Sequence, residues 1–563
     1  MANQSGNDLL TKEISLPRIL FYVLLAVAIV VNASGLFIDI LEPDSALYAS
    51  IAKRIALTND WVNLYGDGHD WLDKPHFPFW VAAISFKVFG INAFGYKLPS
   101  FIFWLIGIRY TYLLTKNIYN DSVARLAVII YITALHGVLE NFDVRAEGYL
   151  TALIIAAIYY ILRAGEKGRL LYYLLAAFCS ACAIMTKGIF VLFTIWGGFA
   201  LYWLVTYQWK QFVDYRIWLT VLLTLVFTFP ELCSLYVQFD MHPEKIDFGQ
   251  THVSGIRFFF WDSQFGRFFN TGPIRGEGDP FFFLHTLLWA FLPWPVILYT
   301  AVIRLFARKG NGDPSNRIFI VYGSAAITFV LFSLSKFQLP HYIIIIFPQL
   351  AIITAQGLMS FFSSKKLAKG VSITQSILLI ITVVASIALM FITGFNGFYS
   401  VVIFASVIGC FIFYKYRKTT LRDIVLKGFA SFAMLHLFLN VVFYPQLLQF
   451  QSGMLAGKWL TEHGYNKKLA MYKSNSYSLE FYAPVNVDRL PTGQSLDSCI
   501  AKGNIILYTT KENAAELTGS GYNVQLLKEY AFYPVSRLTL PFLNYKTRSR
   551  ELQQIVLANV SKK

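Results

Sequence analysis

The stretch ILFYVLLAVAIVVNASGLFI, residues 19–38, contains no charged side chain. A predominantly apolar run of ~20 residues is long enough to cross the hydrocarbon core of a membrane as a helix. The composition of the whole chain extends this argument: of its 563 residues, 56% are hydrophobic and 14% are charged. Soluble domains carry ~25% charged residues. The sequence therefore predicts an integral membrane protein and excludes a soluble globular chain or a disordered one.

Similar apolar runs recur along most of the chain. They predict an α-helical polytopic membrane protein with about thirteen spans, an odd number that places the two termini on opposite sides of the membrane. We place the spans near residues 19–38, 78–106, 123–139, 148–162, 170–185, 189–206, 217–236, 284–303, 318–334, 341–360, 372–393, 397–414 and 426–443.

Lysine and arginine are clustered in alternate connectors between these spans. Cytoplasmic loops are enriched in both residues, so the clusters and the N-terminus are predicted to face the cytoplasm. This placement accounts for the net charge of +16, and we expect no nucleic-acid partner. The clusters are Lys116 and Arg125; Arg163, Lys167 and Arg169; Lys210 and Arg216; Arg304, Arg308, Lys309 and Arg317; Lys365, Lys366 and Lys369; and Lys415, Arg417, Lys418 and Arg422.

The same topology predicts two long outer loops, 39–77 and 237–283, and an outer C-terminal domain. Residues 1–444 would form the membrane part, with a cytoplasmic (inner) membrane location. Residues 445–563 have a soluble composition and are expected to form a small extracytoplasmic α/β domain. Its strand-like runs are 469–472, 504–509 and 524–533, with a helix-like stretch at 511–519.

The first outer loop carries several candidate site residues. Its segment 44–57 has apolar residues at helical spacing and is predicted to lie on the membrane surface as a short helix. Asp44 opens this helix, so its carboxylate is either an N-terminal cap or a general base. Tyr48, Asp73 and Lys74 lie within the same loop.

Other ionisable residues fall at the predicted outer ends of spans. Acids near a bilayer are costly unless they are paired or lie in a wet cavity, which singles out Asp143 and Glu147, with Arg145 as a possible partner. Cations on this side are either lipid-facing anchors or a cluster that binds a phosphate. The cations concerned are Lys74, Lys187, Arg267 and Lys336. The pattern of His and Cys residues predicts no metal site and no cofactor.

Six motifs carry a resemblance to a known family. The chain is similar, in motif order and spacing, to bacterial lipid A aminoarabinose transferases, which belong with the protein O-mannosyltransferase-like glycosyltransferases of the GT-C type. The likeness runs from about residue 15 to 360. The motifs are EPDSALYASIAKRI (42–55), DWVNLYGDGHDWLDKPHFPFWVAA (60–83), FGINAFGYKLPS (89–100), MTKGIF (185–190), FLPWP (291–295) and SKFQLPHYIIIIFPQLA (335–351).

The resemblance implies both a fold and an activity. The fold is a bundle of about thirteen membrane helices with an outward cavity. The activity is transfer of a sugar, with inversion, from a polyprenyl-phosphate donor to a lipid A-like lipid, a glycan or a protein. By motif, the implied catalytic acids are Asp44 and Glu147, with Asp143 as the alternative to the latter, and the implied substrate-binding residues are Tyr48, Asp73, Lys74, Lys187, Arg267, Lys336 and Tyr342.

Two motifs depart from the family pattern. The KPP that often follows the first acidic pair is KPH at residues 74–76, and the long loop reads WDSQFGR at residues 261–267. Both changes leave the sugar and the acceptor open. A polytopic transporter or flippase for lipid-linked glycans remains the alternative from another functional class, because it would also contain buried ions. It would not explain the acid-rich first loop or the outer domain.

Overall fold

The computed structural model describes residues 16–307, 316–395, 399–416, 418–501 and 503–562. Arg308, Lys309 and Arg417 of the predicted basic clusters, and the start of the predicted span 397–414, lie outside the described residues. Within the described ranges, eight helical segments are long and apolar enough to cross a membrane: Arg18–Phe37, Ala93–Ile118, Ala146–Lys167, Leu170–Lys187, Tyr215–Asp240, Pro340–Phe361, Lys365–Thr393 and Leu421–Phe450. Shorter apolar helices are Phe77–Phe89, Val191–Val205, Pro295–Leu305, Ile318–Leu334 and Ser406–Lys415.

The predicted fold class is confirmed, whereas the count of thirteen spans stays a prediction. Three predicted spans are wrong as single helices. The stretch 78–106 is divided at Gly90, whose positive φ of 82° ends one helix, and Asn92 caps the next by accepting a hydrogen bond from Gly95 N. The stretches 123–139 and 284–303 are divided in the same way, into Asp121–Thr133 and Leu135–Leu139, and into Phe282–Ala290 and Pro295–Ala307.

The helix Phe77–Phe89 does not continue the chain across the bundle. Its last turn packs back on the start of the following helix, where Ser85 Oγ donates to Gly95 O and the rings of Phe86 and Tyr96 stack at 6.3 Å. Hydropathy alone predicts a single span over 78–106, because both helices are apolar and the turn between them is short.

Ion pairs at one end of the bundle join the connectors that carry the basic clusters. Glu166 binds both Arg163, on its own helix, and Arg317, which precedes the helix Ile318–Leu334. Asn117, at the end of a third helix, donates to Glu166 at 3.2 Å. The ends of three helices that the basic clusters placed on one side of the membrane therefore meet.

The first long loop lies at the opposite end. It contains the predicted surface helix, observed as Asp44–Thr58, and a two-stranded hairpin, Tyr65–Gly66 with His69–Asp70. Buried Lys97 ties the start of this loop to the bundle, since its Nζ donates to the carbonyl oxygens of Gly35 and Ile38.

The C-terminal region contains a five-stranded sheet. Its strand order is Val487–Leu490, Leu469–Tyr472, Ile505–Thr510, Gln553–Lys562 and Tyr522–Phe532. The first three strands are parallel and the last two are antiparallel to their neighbours. The predicted strands and the helix Lys511–Gly519 are observed, but the sequence reading missed the first and fourth strands. The other helices of this region are Ser452–Glu462, Tyr477–Tyr482, Gly493–Ile500 and Leu540–Leu543.

Candidate active site

A cavity of about 80 Å³ lies at the end of the bundle that carries the first long loop. Lys74, Lys187, Arg267 and Tyr342 line it together with Asp73. These residues come from the first loop, from the ends of two long helices and from the second loop. Most of the predicted cation cluster therefore shares one cavity.

Asp73 joins two of the cations. Its carboxylate binds Arg267 through one oxygen and Lys74 through the other. Although burial disfavours the charged form, these two cations hold the pKa of Asp73 well below its usual range. Two positive charges thus face one negative charge, so the group has a net positive charge at neutral pH.

Lys187 is the third cation and ends the helix Leu170–Lys187. It binds Glu147, whose side chain is 2% exposed, and its Nζ lies 3.5 Å from the centre of the Tyr342 ring. The interpretation of Lys187 as a lipid-facing anchor is therefore wrong. Its backbone is held as well, since Gln264 Nε2 donates to Lys187 O at 2.9 Å.

Asp44 does not cap its helix. The structure has Pro43 at the cap position without a side-chain hydrogen bond, and the Asp44 carboxylate instead lies 2.7 Å from Arg145 Nη1. The side chain of Asp44 is 40% exposed. The capping interpretation is therefore wrong, and this carboxylate is accessible to a substrate.

Arg145 also binds Asp143, at 2.9 Å, so one guanidinium orients two of the predicted acids. Burial raises the pKa of Asp143 even though Arg145 favours its charged form. Tyr48 packs against Phe79 with ring centres 5.6 Å apart. Burial, together with the charges of Asp44 and Asp73, raises the pKa of Tyr48 well above its usual value. Tyr48 lies one helical turn beyond Asp44 on the same helix.

Of the four predicted cations, Lys336 is the one outside the cavity. Its neighbours Ser335 and Phe337 line the cavity, but Lys336 itself is not in the lining and is exposed. Its backbone N donates to Phe268 O at 3.1 Å, which places the segment beside the cavity.

Sequence reasoning missed two residues that the structure brings to the site. Glu231, in the helix Tyr215–Leu235, lines the cavity and accepts hydrogen bonds from the backbone N and from Nδ1 of His76, both at 3.0 Å. His341 lies 3.2 Å from Arg145 through its Nδ1. An acid within an apolar helix was the signal available for Glu231.

The remaining lining is aromatic and apolar. Phenylalanine side chains from the second long loop and from two helix ends surround the cations. They are Phe190, Phe258, Phe259, Phe268, Phe332 and Phe337. A ligand with an apolar tail and an anionic head would match this cavity, because the wall is apolar and the centre is cationic.

Taken together, the bundle, the loop-borne acids and the appended sheet define a polytopic membrane protein of the GT-C fold. The family model of dolichyl-phosphate-mannose-protein mannosyltransferases matches residues 73–233. The resemblance predicted from the motifs is thereby confirmed.

Particular relatives agree with this class. The chain is 27% identical over 326 residues to the undecaprenyl phosphate-alpha-4-amino-4-deoxy-L-arabinose arabinosyl transferase of Pseudomonas aeruginosa, covering 56% of this chain and 55% of the relative. The enzyme of that name from Shewanella sediminis is 27% identical over 351 residues, covering 60% and 58%. The matched region thus spans little more than half the length of these relatives.

The fold is similar over nearly the whole chain to a solved structure. The crystal structure of ArnT from Cupriavidus metallidurans bound to undecaprenyl phosphate superposes with a TM-score of 0.70 at 18% identity. The similarity covers 95% of this chain and 97% of that one. The apo crystal structure of the same protein gives a TM-score of 0.69.

Proposed function

We propose that this chain is an integral-membrane glycosyltransferase that uses a polyprenyl-phosphate sugar as donor. The observation that carries the proposal is the cavity in which Lys74, Lys187 and Arg267 lie beside Tyr342 within an aromatic wall. A polyprenyl phosphate has an apolar tail and an anionic head, and the cavity offers a partner for each. The matched relatives are named for an undecaprenyl-phosphate donor.

The acceptor is a hydroxyl group of a lipid A-like lipid, a glycan or a protein. Asp44 takes the proton of this hydroxyl, and the acceptor oxygen forms a bond to C1 of the sugar. The bond from C1 to the phosphate oxygen breaks, and the electron pair leaves with the phosphate. Attack opposite to the leaving group inverts the configuration at C1.

The cavity stabilises the leaving phosphate. Preorganised cations in a site shielded from water are worth more than they would be in bulk solvent. Arg267 and Lys74 share Asp73, so the net positive charge of this group faces the anion as it develops. The Tyr342 hydroxyl is a further donor toward the phosphate.

The other acids orient the reacting groups. Arg145 holds Asp44 and Asp143 side by side, and Glu147 fixes Lys187. We therefore assign the base to Asp44, which is the exposed member, and a positioning role to Asp143 and Glu147. Tyr48, one helical turn beyond Asp44, contacts the sugar.

The reaction takes place on the outer face of the cytoplasmic membrane. Three helix ends that carry basic clusters meet at Glu166, at the opposite end of its helix from Glu147. This supports the proposed side, because basic loops face the cytoplasm. Residues 1–444 supply the transferase part with its outer loops 39–77 and 237–283. Residues 445–563 form the outer domain.

The test is a transfer assay with purified protein in detergent. A radiolabelled undecaprenyl-phosphate sugar is incubated with envelope lipids, glycans and proteins without any gradient, and release of undecaprenyl phosphate is measured. We expect turnover by the unmodified chain and its loss in Asp44→Asn. A transporter would leave the donor intact, and an unconsumed donor with every acceptor class would overturn the proposal.

A further inference from the structure

The first outer loop holds a short helix of the C-terminal domain by its N-terminal end. This helix is Tyr477–Tyr482. Glu42 Oε1 accepts hydrogen bonds from Ser478 N at 2.5 Å and from Ser476 Oγ at 2.7 Å. A carboxylate is favoured at this position because the N-terminus of a helix carries partial positive charge. Glu42 is separated from Asp44 by a single residue.

The same loop also holds the C-terminal end of that helix. Lys53 lies on the surface helix Asp44–Thr58, and a cation is favoured at a helix C-terminus. Its Nζ donates at 3.0, 2.9 and 2.7 Å to the carbonyl oxygens of Glu480, Phe481 and Ala483. The segment that carries Asp44 is therefore attached to one helix of the outer domain before and after the acid.

Side chains of the outer domain also bind the backbone that leads to Asp44. Gln451 is fully buried; its Oε1 accepts from Glu42 N at 3.0 Å and its Nε2 donates to Ile40 O at 2.8 Å. Tyr482 OH accepts from Ile40 N at 2.9 Å. Backbone groups that a free loop would leave to solvent are thus satisfied by this domain.

We propose that the C-terminal domain is a positioning element for the acid of the first loop, and that Glu42 and Lys53 of that loop are the positioning residues through which it acts. The inference rests on the proposed function, since it takes Asp44 as the base. Arg145 binds the Asp44 carboxylate from the membrane part. The outer domain binds the backbone before Asp44 and the side chain of Lys53 after it. Small displacements of a catalytic group cost rate steeply, so the domain acts on turnover.

The experiment compares full-length variants in detergent by transfer kinetics and by hydrogen exchange of the 44–58 amides. We expect Lys53→Met and Glu42→Ala to lower kcat about tenfold with the donor KM unchanged, and to raise exchange at residues 44–58. Glu42→Gln keeps an oxygen that can accept the two hydrogen bonds, so it should restore most of the rate. Lys468→Met is the matched control, because Lys468 pairs with exposed Asp488 inside the sheet region, at 3.3 Å.

Several outcomes would overturn the inference. One is a Lys53→Met variant with unchanged kcat and unchanged exchange at 44–58. Another is a rise in KM with constant kcat, which would place Lys53 in substrate binding instead. Hydrogen exchange is measured without substrate, so it tests the attachment independently of activity. If the unmodified chain consumed no polyprenyl donor, the proposed function would fail. The exchange comparison would still show whether the domain holds residues 44–58. Thermal unfolding of each variant separates positioning from loss of the fold.

Discussion

At the scale of single residues, the structure separates the acids that the sequence could only group. Asp44 is 40% exposed and bound on one side by Arg145. Asp143 and Glu147 have side chains that are 22% and 2% exposed and are held by Arg145 and Lys187. A base must reach its substrate, and of these three acids the carboxylate of Asp44 is the most accessible.

The first prediction concerns Asp44→Asn. The amide keeps the size of the side chain but cannot take a proton, so transfer should fall at least ~10²-fold, the low end for general-base catalysis. Binding of undecaprenyl phosphate and the yield of folded protein should not change, because this carboxylate neither caps its helix nor lines the cavity.

The control is Glu512→Gln, which removes an exposed acid from the first turn of another helix. Near-normal transfer by Asp44→Asn would move the role of base to Asp143 or Glu147.

The second prediction concerns the phosphate. Arg267→Gln removes a charged donor from the cavity, and a hydrogen bond to a charged group contributes ~1.5–3 kcal/mol. Undecaprenyl phosphate should therefore bind roughly 10- to 100-fold more weakly, as measured by titration in detergent. Arg257→Gln is the matched control, since Arg257 precedes the same segment, pairs with Asp262 at 3.6 Å and is 74% exposed. Equal affinities of the two variants would refute the phosphate site.

Much of the site could be anticipated residue by residue. Asp73, Lys74, Lys187, Arg267 and Tyr342 belong to motifs, and the structure brings them to one cavity. The sequence does not show in which direction a side chain points. Lys336 belongs to a motif of equal quality but its side chain turns out to be exposed, because the residues on either side of it fill the lining.

At the scale of elements, the position of the first loop depends on contacts with the helical segment Tyr215–Asp240. Glu231 accepts both a backbone and a ring N–H of His76, and both side chains are fully buried. Gln238 bonds the backbone of Leu64 from both its oxygen and its nitrogen, at 3.0 and 2.6 Å. Since His76 follows Lys74 and Pro75, this attachment fixes the turn that presents Lys74 to the cavity.

The third prediction tests this attachment. Glu231→Ala leaves the His76 groups buried without an acceptor, and breaking a buried pair by removing one partner costs ~3–5 kcal/mol. We expect a clearly lower thermal unfolding temperature in detergent. Glu244→Ala is the control, because that acid is 69% exposed and pairs with His242 on the surface. If Glu231→Ala unfolded at the same temperature as Glu244→Ala, the pair of His76 and Glu231 would contribute little to stability.

The breaks within predicted spans have a physical origin at this same scale. Hydropathy reports how apolar a stretch is, but not where its backbone turns. Gly90 and Asn92 are turn and cap residues, yet each stands alone within a long apolar stretch, so the composition of 78–106 hides them. The other two interruptions contact each other: Trp294, in the break within 284–303, donates through its Nε1 to Oγ1 of Thr133, which precedes the break within 123–139, at 2.8 Å. That contact joins residues far apart in the chain and leaves no local pattern.

At the scale of the whole molecule, the charges are divided between the two ends of the bundle. Glu166, Arg163 and Arg317 meet at one end, and the acids and cations of the site meet at the other. In the topology proposed above, the site end is the outer one, which suits a donor whose phosphate lies at the membrane surface and whose tail remains in the lipid. The C-terminal region contacts this end through its helix Tyr477–Tyr482, which binds Glu42 and Lys53, and through Arg489 of its sheet, which binds Asp67.

The last prediction follows from that division. If basic connectors face the cytoplasm, the exposed residues Lys366 and Glu512 lie on opposite sides of the membrane. In a cysteine-free background, Glu512→Cys should react with a membrane-impermeant maleimide in intact spheroplasts, whereas Lys366→Cys should react only after the membrane is opened. Neither residue lines the cavity, so transfer activity should be kept and serves as the control for folding. The reverse pattern would place the cavity in the cytoplasm, where a soluble nucleotide sugar rather than a lipid-linked one would be the natural donor, and the proposed function would fall with the topology.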